Sequence, residues 1–281
     1  MFSVIIPTYN NLEYLKICLN SIKRNSKYNH EVIIHVNEGI DGTLDFLKNN
    51  EYKFSYSKVN SGVCVAFNEA VKLSSKKYIV LGHDDMYFCP NWDVIFTEEI
   101  KKNTSKLFFL SGTMVQPFNS YIKLDCGSNY KEFNEEKLLN EIKNIKYHNF
   151  QGTHWQPSLI SKFTWDKVGG FSEEFSPGLG SDPDFNFKLW RAGCRIFKGL
   201  GDCRVYHFSS QSLRKKAWND GAKIFLLKWG ISIKFFKKFY LKTNEIYTGP
   251  LKEPNKNMIY YFNLLKCKIH YLYLKIILWK N

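Results

Sequence analysis

At 281 residues, with 44% apolar and 17% aromatic side chains, the chain can bury a sizeable core as one large or two small domains, which excludes a disordered or fibrous protein. The net charge of +14 is uneven: residues 213–281 carry 15 Lys and Arg against three acids, a net of +12, while residues 1–212 are close to neutral at +2. Seven scattered cysteines without a C-x-x-C pair argue against a disulfide framework or structural zinc and fit a reducing cytoplasm.

Residues 2–6 are an apolar run without a basic leader, so no secretory signal is expected there. No stretch of about 18 apolar residues occurs, which predicts a soluble protein or one lying on a membrane surface. Residues 2–6 read as a buried strand ending at Pro7. Leu12, Leu15, Cys18, Leu19 and Ile22 then recur at helical spacing behind Asn10 or Asn11 as N-cap. A second strand over residues 31–36 leads through a turn-rich segment into a helix over 43–48. A third strand over 54–59, a helix over 63–73 and a fourth strand over 78–81 follow. Strands alternating with helices predict a parallel sheet covered on both faces, with ligands bound beyond the carboxyl ends of the strands. Each strand ends in polar residues, at Thr8-Tyr9-Asn10, Asn37-Glu38, Asn60-Ser61-Gly62 and His83-Asp84-Asp85. Loops are commonly polar, but four such ends converging on one rim favour a site.

Adjacent carboxylates at Asp84 and Asp85 are hard oxygen ligands that suit magnesium or manganese bridging to a polyphosphate, although an acid pair by itself is an ordinary solvated turn. Asp182 follows Gly178-Leu179-Gly180 and precedes a helical segment over 185–190. It could serve as a general base or cap that helix with Pro183 in first position.

In combination these pieces resemble family 2 glycosyltransferases with the GT-A fold. The similarity runs through Ser3-Val4-Ile5-Ile6-Pro7-Thr8-Tyr9-Asn10-Asn11, Asn60-Ser61-Gly62 with Asn68, and His83-Asp84-Asp85. It continues with Val168-Gly169-Gly170-Phe171, Ser181-Asp182-Pro183-Asp184 and Tyr206-His207, and spans roughly residues 2–210. The fold implied is a Rossmann-like mixed, mainly parallel sheet flanked by helices. It comprises a GT-A domain over residues 1–212, with a nucleotide-binding half at 1–112 and an acceptor half at 113–212, and a basic helical extension over 213–281.

The resemblance implies a nucleotide-sugar pocket made by Pro7, Thr8, Tyr9, Asn10 and Glu38, with Asn60, Gly62 and Asn68 near the diphosphate or ribose and Asp84 facing the ribose. Asp85, completed by His207, would hold Mn2+ or Mg2+. Asp182 would be the base for inverting transfer, and uridine is the expected nucleobase, with thymidine second. Three departures concern base recognition: Gly82 stands where an acid is usual, Asn37-Glu38 replaces a pair of aspartates, and Ser181 replaces a glutamate. The Q-x-x-R-W element of processive synthases is absent, so transfer of one sugar is expected.

In the less legible stretch from 113 to 167, Trp155 in His154-Trp155-Gln156-Pro157 could stack on a sugar or be plain core, and residues 132–146 read as an exposed charged helix or lid. Residues 224–241 interleave aromatics with lysines, and residues 258–279 repeat that composition. This predicts helices lying on the inner face of a membrane, suited to a glycan or lipid-linked acceptor in surface glycan or glycolipid synthesis. The alternative is that they pack on the domain with their lysines snorkelling. A nucleic-acid-binding protein acting through the tail is the non-enzymatic rival, disfavoured by the near-neutral body, and no nucleic acid partner is expected. A sugar nucleotidylyltransferase is disfavoured because residues 7–11 contain neither glycine nor a basic residue.

Overall fold

In a computed structural model, which describes residues 1–280 except 104, 119, 153–155 and 209–218, the first apolar run forms β1 (Ser3–Tyr9), followed by α1 (Leu12–Asn25). The alternation continues through β2 (Glu31–Asn37), α2 (Thr43–Asn49), β3 (Lys53–Ser57), α3 (Val63–Lys72) and β4 (Tyr78–Leu81). These four strands are parallel, in spatial order β3-β2-β1-β4. Neither asparagine side chain caps α1; the carboxylate of Asp41, from the next crossover, accepts from the Leu12 amide at 2.8 Å instead. Pro7 is tolerated in a central strand because β4 pairs only with Ser3–Ile5, leaving that edge of β1 open beyond.

The second half adds β5 (Met86–Phe88), α4 (Trp92–Lys102), β6 (Phe108–Gln116), β7 (Ile122–Lys123), α5 (Glu135–Ile142), β8 (Phe150–Gln151), β9 (Ser158–Ser161), α6 (Lys162–Val168), α7 (Ser181–Arg191) and β10 (Ile196–His207). β9 is antiparallel to both β4 and β6, and β10 is parallel to β6. Two reversals restore the direction, so β6 and β10 end on the same rim as β1, β2 and β4. The sheet is therefore mixed and mainly parallel, with order β3-β2-β1-β4-β9-β6-β10-β5.

Strand periodicity divides the core between the two faces. Val4, Ile6, Ile34 and Val80 pack with α1 and α4 on one face; Ile5, Ile33, Ile79 and Leu81 pack with α3, α6 and α7 on the other. A smaller cluster joins Leu138 and Ile142 of α5 to Tyr87, Tyr206 and Phe208, so the expected charged lid is a helix with a buried apolar edge. All seven cysteines are buried and free.

The basic extension divides. α8 (Gly221–Trp229) and α9 (Ile233–Phe236), with the π-helical turn Lys237–Leu241, pack on the domain: Phe225, Leu226, Phe235, Phe236 and Leu241 are buried in the same cluster as α3 and α7. The expectation that residues 224–241 present their aromatics to a membrane is corrected here. Phe187 of α7 lies 4.7 Å from Trp229 and 4.9 Å from Phe236, ring centre to ring centre. Each such aromatic contributes roughly 2–3 kcal/mol by leaving water, more than a weak lipid contact would return. The composition shift near residue 212 therefore does not divide two cores.

α10 (Met258–Lys280) is different. It buries Tyr260 and Cys267 but leaves Ile259, Phe262, Leu265, Ile269, Leu272 and Trp279 exposed. Among the described residues, no helix is long and apolar enough to cross a membrane.

Candidate active site

The rim formed by the strand ends gathers the acids of the central motif. Thr8, at the end of β1, donates from Oγ1 to Asp84 Oδ2 at 2.7 Å in a buried contact. Asp84 also lies beside Asp85, and burial together with that neighbour pushes its carboxyl up to about 7. Pairing of β5 with β10 sets Met86 opposite His207, which brings the preceding Asp85 to the histidine. His207 Nε2 stands 3.4 Å from Asp85 Oδ2. Burial would raise Asp85 and lower His207, but each offsets this for the other, so the carboxyl titrates below its ordinary range and the imidazole above.

Gln116, at the end of β6, lies 2.8 Å from His207 Nδ1 through its Oε1. Nδ1 donates there, which turns Nε2 toward Asp85, the kind of orienting contact that ligand histidines carry. Asp85 and His207 are thus held together as a preorganised pair that could ligate a cation. Among the described residues no group of three or more His, Cys, Asp or Glu joins them. Two protein ligands fit a hard divalent cation that takes its remaining positions from diphosphate oxygens and water.

Around the ends of β1 and β2, Asn10 donates from Nδ2 to Glu38 Oε2 at 3.0 Å and accepts the Ile40 amide at 3.0 Å. Both residues have left-handed backbones, φ 47° at Asn10 and 62° at Glu38, a conformation that costs a non-glycine residue about 1 kcal/mol or more and tends to persist at functional sites. Tyr9 closes β1 next to them, and Pro7 is buried two positions earlier. Asn60 accepts from the Gly62 amide at 3.1 Å in the turn just before α3. Gly62 has φ +86°, and a Cβ there would meet Ser176 Oγ at 2.9 Å. Asn68 is placed differently from the others: its amide clamps the main chain of Phe171, donating to the carbonyl and accepting from the N–H, each at 2.9 Å. Trp155 lies outside the described residues.

Further along the chain, α7 starts at Ser181 behind Gly180, whose left-handed φ of 85° closes the preceding turn. Asp182 therefore sits inside the first helical turn and makes no capping bond, and Pro183 follows it rather than opening the helix. Its Oδ1 accepts from Gln156 Nε2 at 3.1 Å. Burial pushes the Asp182 carboxyl up to about 6 against the opposing pull of Gln156 and Lys237. Gln156 precedes β9 and also lies beside His83, so one amide touches both Asp182 and the residue that precedes the acid pair.

Asp184, two residues on, has a structural role. It is fully buried, accepts from Ser172 Oγ at 2.6 Å and Trp229 Nε1 at 2.7 Å, and faces Lys228 Nζ at 3.0 Å. Sequence reasoning passed over Gln116 and Lys237. Gln116 ends an apolar strand ahead of a proline, the same signal that marked the other rim residues; Lys237 was grouped with lipid-facing lysines.

The glycosyl transferase family 2 model matches residues 3–159. The chain is 28% identical over 223 residues to hyaluronan synthase of Pasteurella multocida, which covers 76% of this chain and 21% of that protein. It is 27% identical over 207 residues to an uncharacterized glycosyltransferase of Rickettsia prowazekii, across 70% of this chain and 61% of that one. The chain thus spans about a fifth of the hyaluronan synthase it matches. Among solved structures, S. aureus TarS 1-349 aligns with a TM-score of 0.59 at 18% identity, over 81% of this chain and 64% of that one. The same protein in complex with UDP-GlcNAc gives 0.58 at 17% identity, over 84% and 66%. With a GT-A-like sheet and a family match over more than half its length, the chain belongs to glycosyl transferase family 2.

Proposed function

We propose that this protein transfers one sugar from a nucleotide-sugar donor, with uridine diphosphate as the leaving group, to an acceptor hydroxyl with inversion at the anomeric carbon. The observation that carries this reading is the contact of Gln156 with both the lone carboxylate of Asp182 and His83, the residue next to the acid pair whose Asp85 meets His207. Asp182 accepts the acceptor hydroxyl's proton as its oxygen bonds to the anomeric carbon, and the bond from that carbon to the diphosphate breaks on the opposite side. A carboxyl poised near 6 is ionised at neutral pH yet basic enough to help. Asp84, with Thr8, would receive the ribose, while Asn10 and Glu38 line the base side. Asp85 and His207 would hold Mn2+ or Mg2+, which when bound neutralises charge on the departing diphosphate. The TarS complexes with UDP and UDP-GlcNAc support a uridine nucleotide here.

The test is release of nucleoside diphosphate from a panel of UDP-, GDP- and dTDP-sugars, with manganese, with magnesium and with chelator. Release from UDP-sugars dependent on the cation is expected; no release from any donor would end this reading.

A membrane contact in surface glycan or glycolipid synthesis is also proposed, now restricted to α10. Its exposed apolar residues alternate with Lys266, Lys268 and Lys275 without an acid, a pattern suited to the cytoplasmic face of an anionic bilayer and to a lipid-linked or glycan acceptor. The seven buried free thiols support the same reducing compartment.

A further inference from the structure

A groove of about 900 Å³ lies among α8, the π-helical turn and α10, within the range of small-ligand sites. Lys223, Lys234, Lys237, Lys238 and Lys242 line it, with two acids, Asp220 and Glu245. Lys228 on the same helix has its ammonium engaged by Glu174 and Asp184, but none of the five groove lysines forms an ion pair among the described residues. Five cations facing one space repel each other, and the arrangement is relieved when an anion enters.

The groove reaches toward the candidate base through Lys237, which lines it and interacts with the charge of Asp182. Asn219 accepts from the Leu179 amide at 3.1 Å and donates to its carbonyl at 3.0 Å, tying the start of α8 to the loop that leads into Asp182. Gly221 packs so closely on the Leu179 carbonyl that no Cβ fits there, which holds the groove wall against that loop. From the other side Lys237 opens the π-helical turn, a local geometry often found at functional sites. Burial lowers its ammonium and the charge of Asp182 counteracts this, so the two groups sense one another.

We propose that this groove binds the acceptor, and that the acceptor carries anionic oxygens, as carboxylate or phosphate, close to the hydroxyl that is attacked. The inference rests on Asp182 being the base, and it adds the chemical class of the second substrate. A uronate sugar and a phosphorylated sugar present the same kind of oxygen anion to lysines, so the test carries both.

Binding to the whole protein with UDP present is measured by calorimetry for three disaccharides alike except at one end: glucuronate, glucose 6-phosphate and glucose. The two anionic ligands are expected to bind at least about tenfold more tightly than the neutral one at low salt, with the gap narrowing as salt is raised. The triple variant K223Q/K234Q/K238Q should lose that preference while its UDP affinity and thermal unfolding stay as in the native protein. The stronger of the two anionic arms identifies the source of the charge. Equal binding of charged and neutral ligands overturns the proposal, as does a triple variant that keeps the preference. So does a variant whose only loss is binding to anionic vesicles, which would make the lysines a bilayer contact. Because binding is read without turnover, a protein that releases no nucleotide from any donor yet prefers the anions would refute the catalytic reading and leave the groove standing.

Discussion

Replacing Asp182 by Asn removes a base without removing its hydrogen bond, since an Asn oxygen can still accept from Gln156 Nε2. The carboxyl is raised from 3.8 to about 6, which means the fold disfavours its ionised form. That rise corresponds to about 3 kcal/mol, and because Asp182 is half-buried, about 2 kcal/mol is the expectation. The sign follows from a raised pKa: below about pH 4 the group is protonated in both states and costs nothing. The penalty grows as pH rises through the window to 6 and is complete above it. Asn escapes that penalty. D182N should therefore melt about 5 °C higher than the native protein at pH 7.5, with the difference vanishing toward pH 4, while transfer falls at least about a hundredfold. Native kcat/KM should decline as pH drops below about 6, as the base becomes protonated. Calorimetric melting across that pH range, beside an initial-rate assay, reads all of this. A D182N protein that transfers sugar at the native rate, or whose melting advantage does not change with pH, would refute the assignment.

Four further outcomes are expected. D85A should lose stimulation by manganese and bind UDP more weakly, read by fluorescence titration with and without chelator; unchanged metal dependence would move the cation elsewhere. N68A should lower stability by about 1–3 kcal/mol, because it strands the Phe171 N–H and carbonyl, and leave donor KM near native; a large rise in donor KM would return Asn68 to the nucleotide site. D184A should cost about 3–5 kcal/mol, seen in denaturant unfolding, by leaving Lys228 and Trp229 without their buried partner; a near-native midpoint would contradict the anchoring role. Truncation after residue 256 should give a folded protein that no longer pellets with anionic vesicles, whereas truncation after residue 212 should be insoluble, since it uncovers Phe187 and Trp190. Equal pelleting of the full chain and the shorter form would refute the membrane contact.

The first half of the sheet was legible because its signals are local. Apolar runs of strand length end in polar residues at Thr8, Asn37 and Asp84, and helical periodicity between them forces parallel crossovers onto one rim. What escaped depends on contacts between distant segments. Asn68 looks like any rim asparagine until α3 meets the turn at Gly170 and Phe171, 103 positions away, and its amide is used there. Gln116 and His207 join only because β6 and β10 are parallel neighbours, which no pattern within either strand reveals. The lysines and aromatics of residues 224–241 look alike for a helix on lipid and a helix on protein. The partners decide between them, here Phe187 and Asp184, whereas α10 buries Tyr260 and Cys267 on the fold and leaves most of its other apolar side chains exposed.

The burial of every thiol gives this protein an internal clock for its own openings. Cys18 sits on α1 behind the acid pair, with its Sγ 3.4 Å from the carbonyl of His83, so an alkylating dye reaches it only when α1 comes away from the sheet. Cys267 lies between α10 and Ser232, whose amide approaches its sulfur at 3.4 Å, and is uncovered merely by lifting that helix. Labelling rates at these two positions would time the peeling of α10 separately from global unfolding, in the native sequence and without an engineered probe.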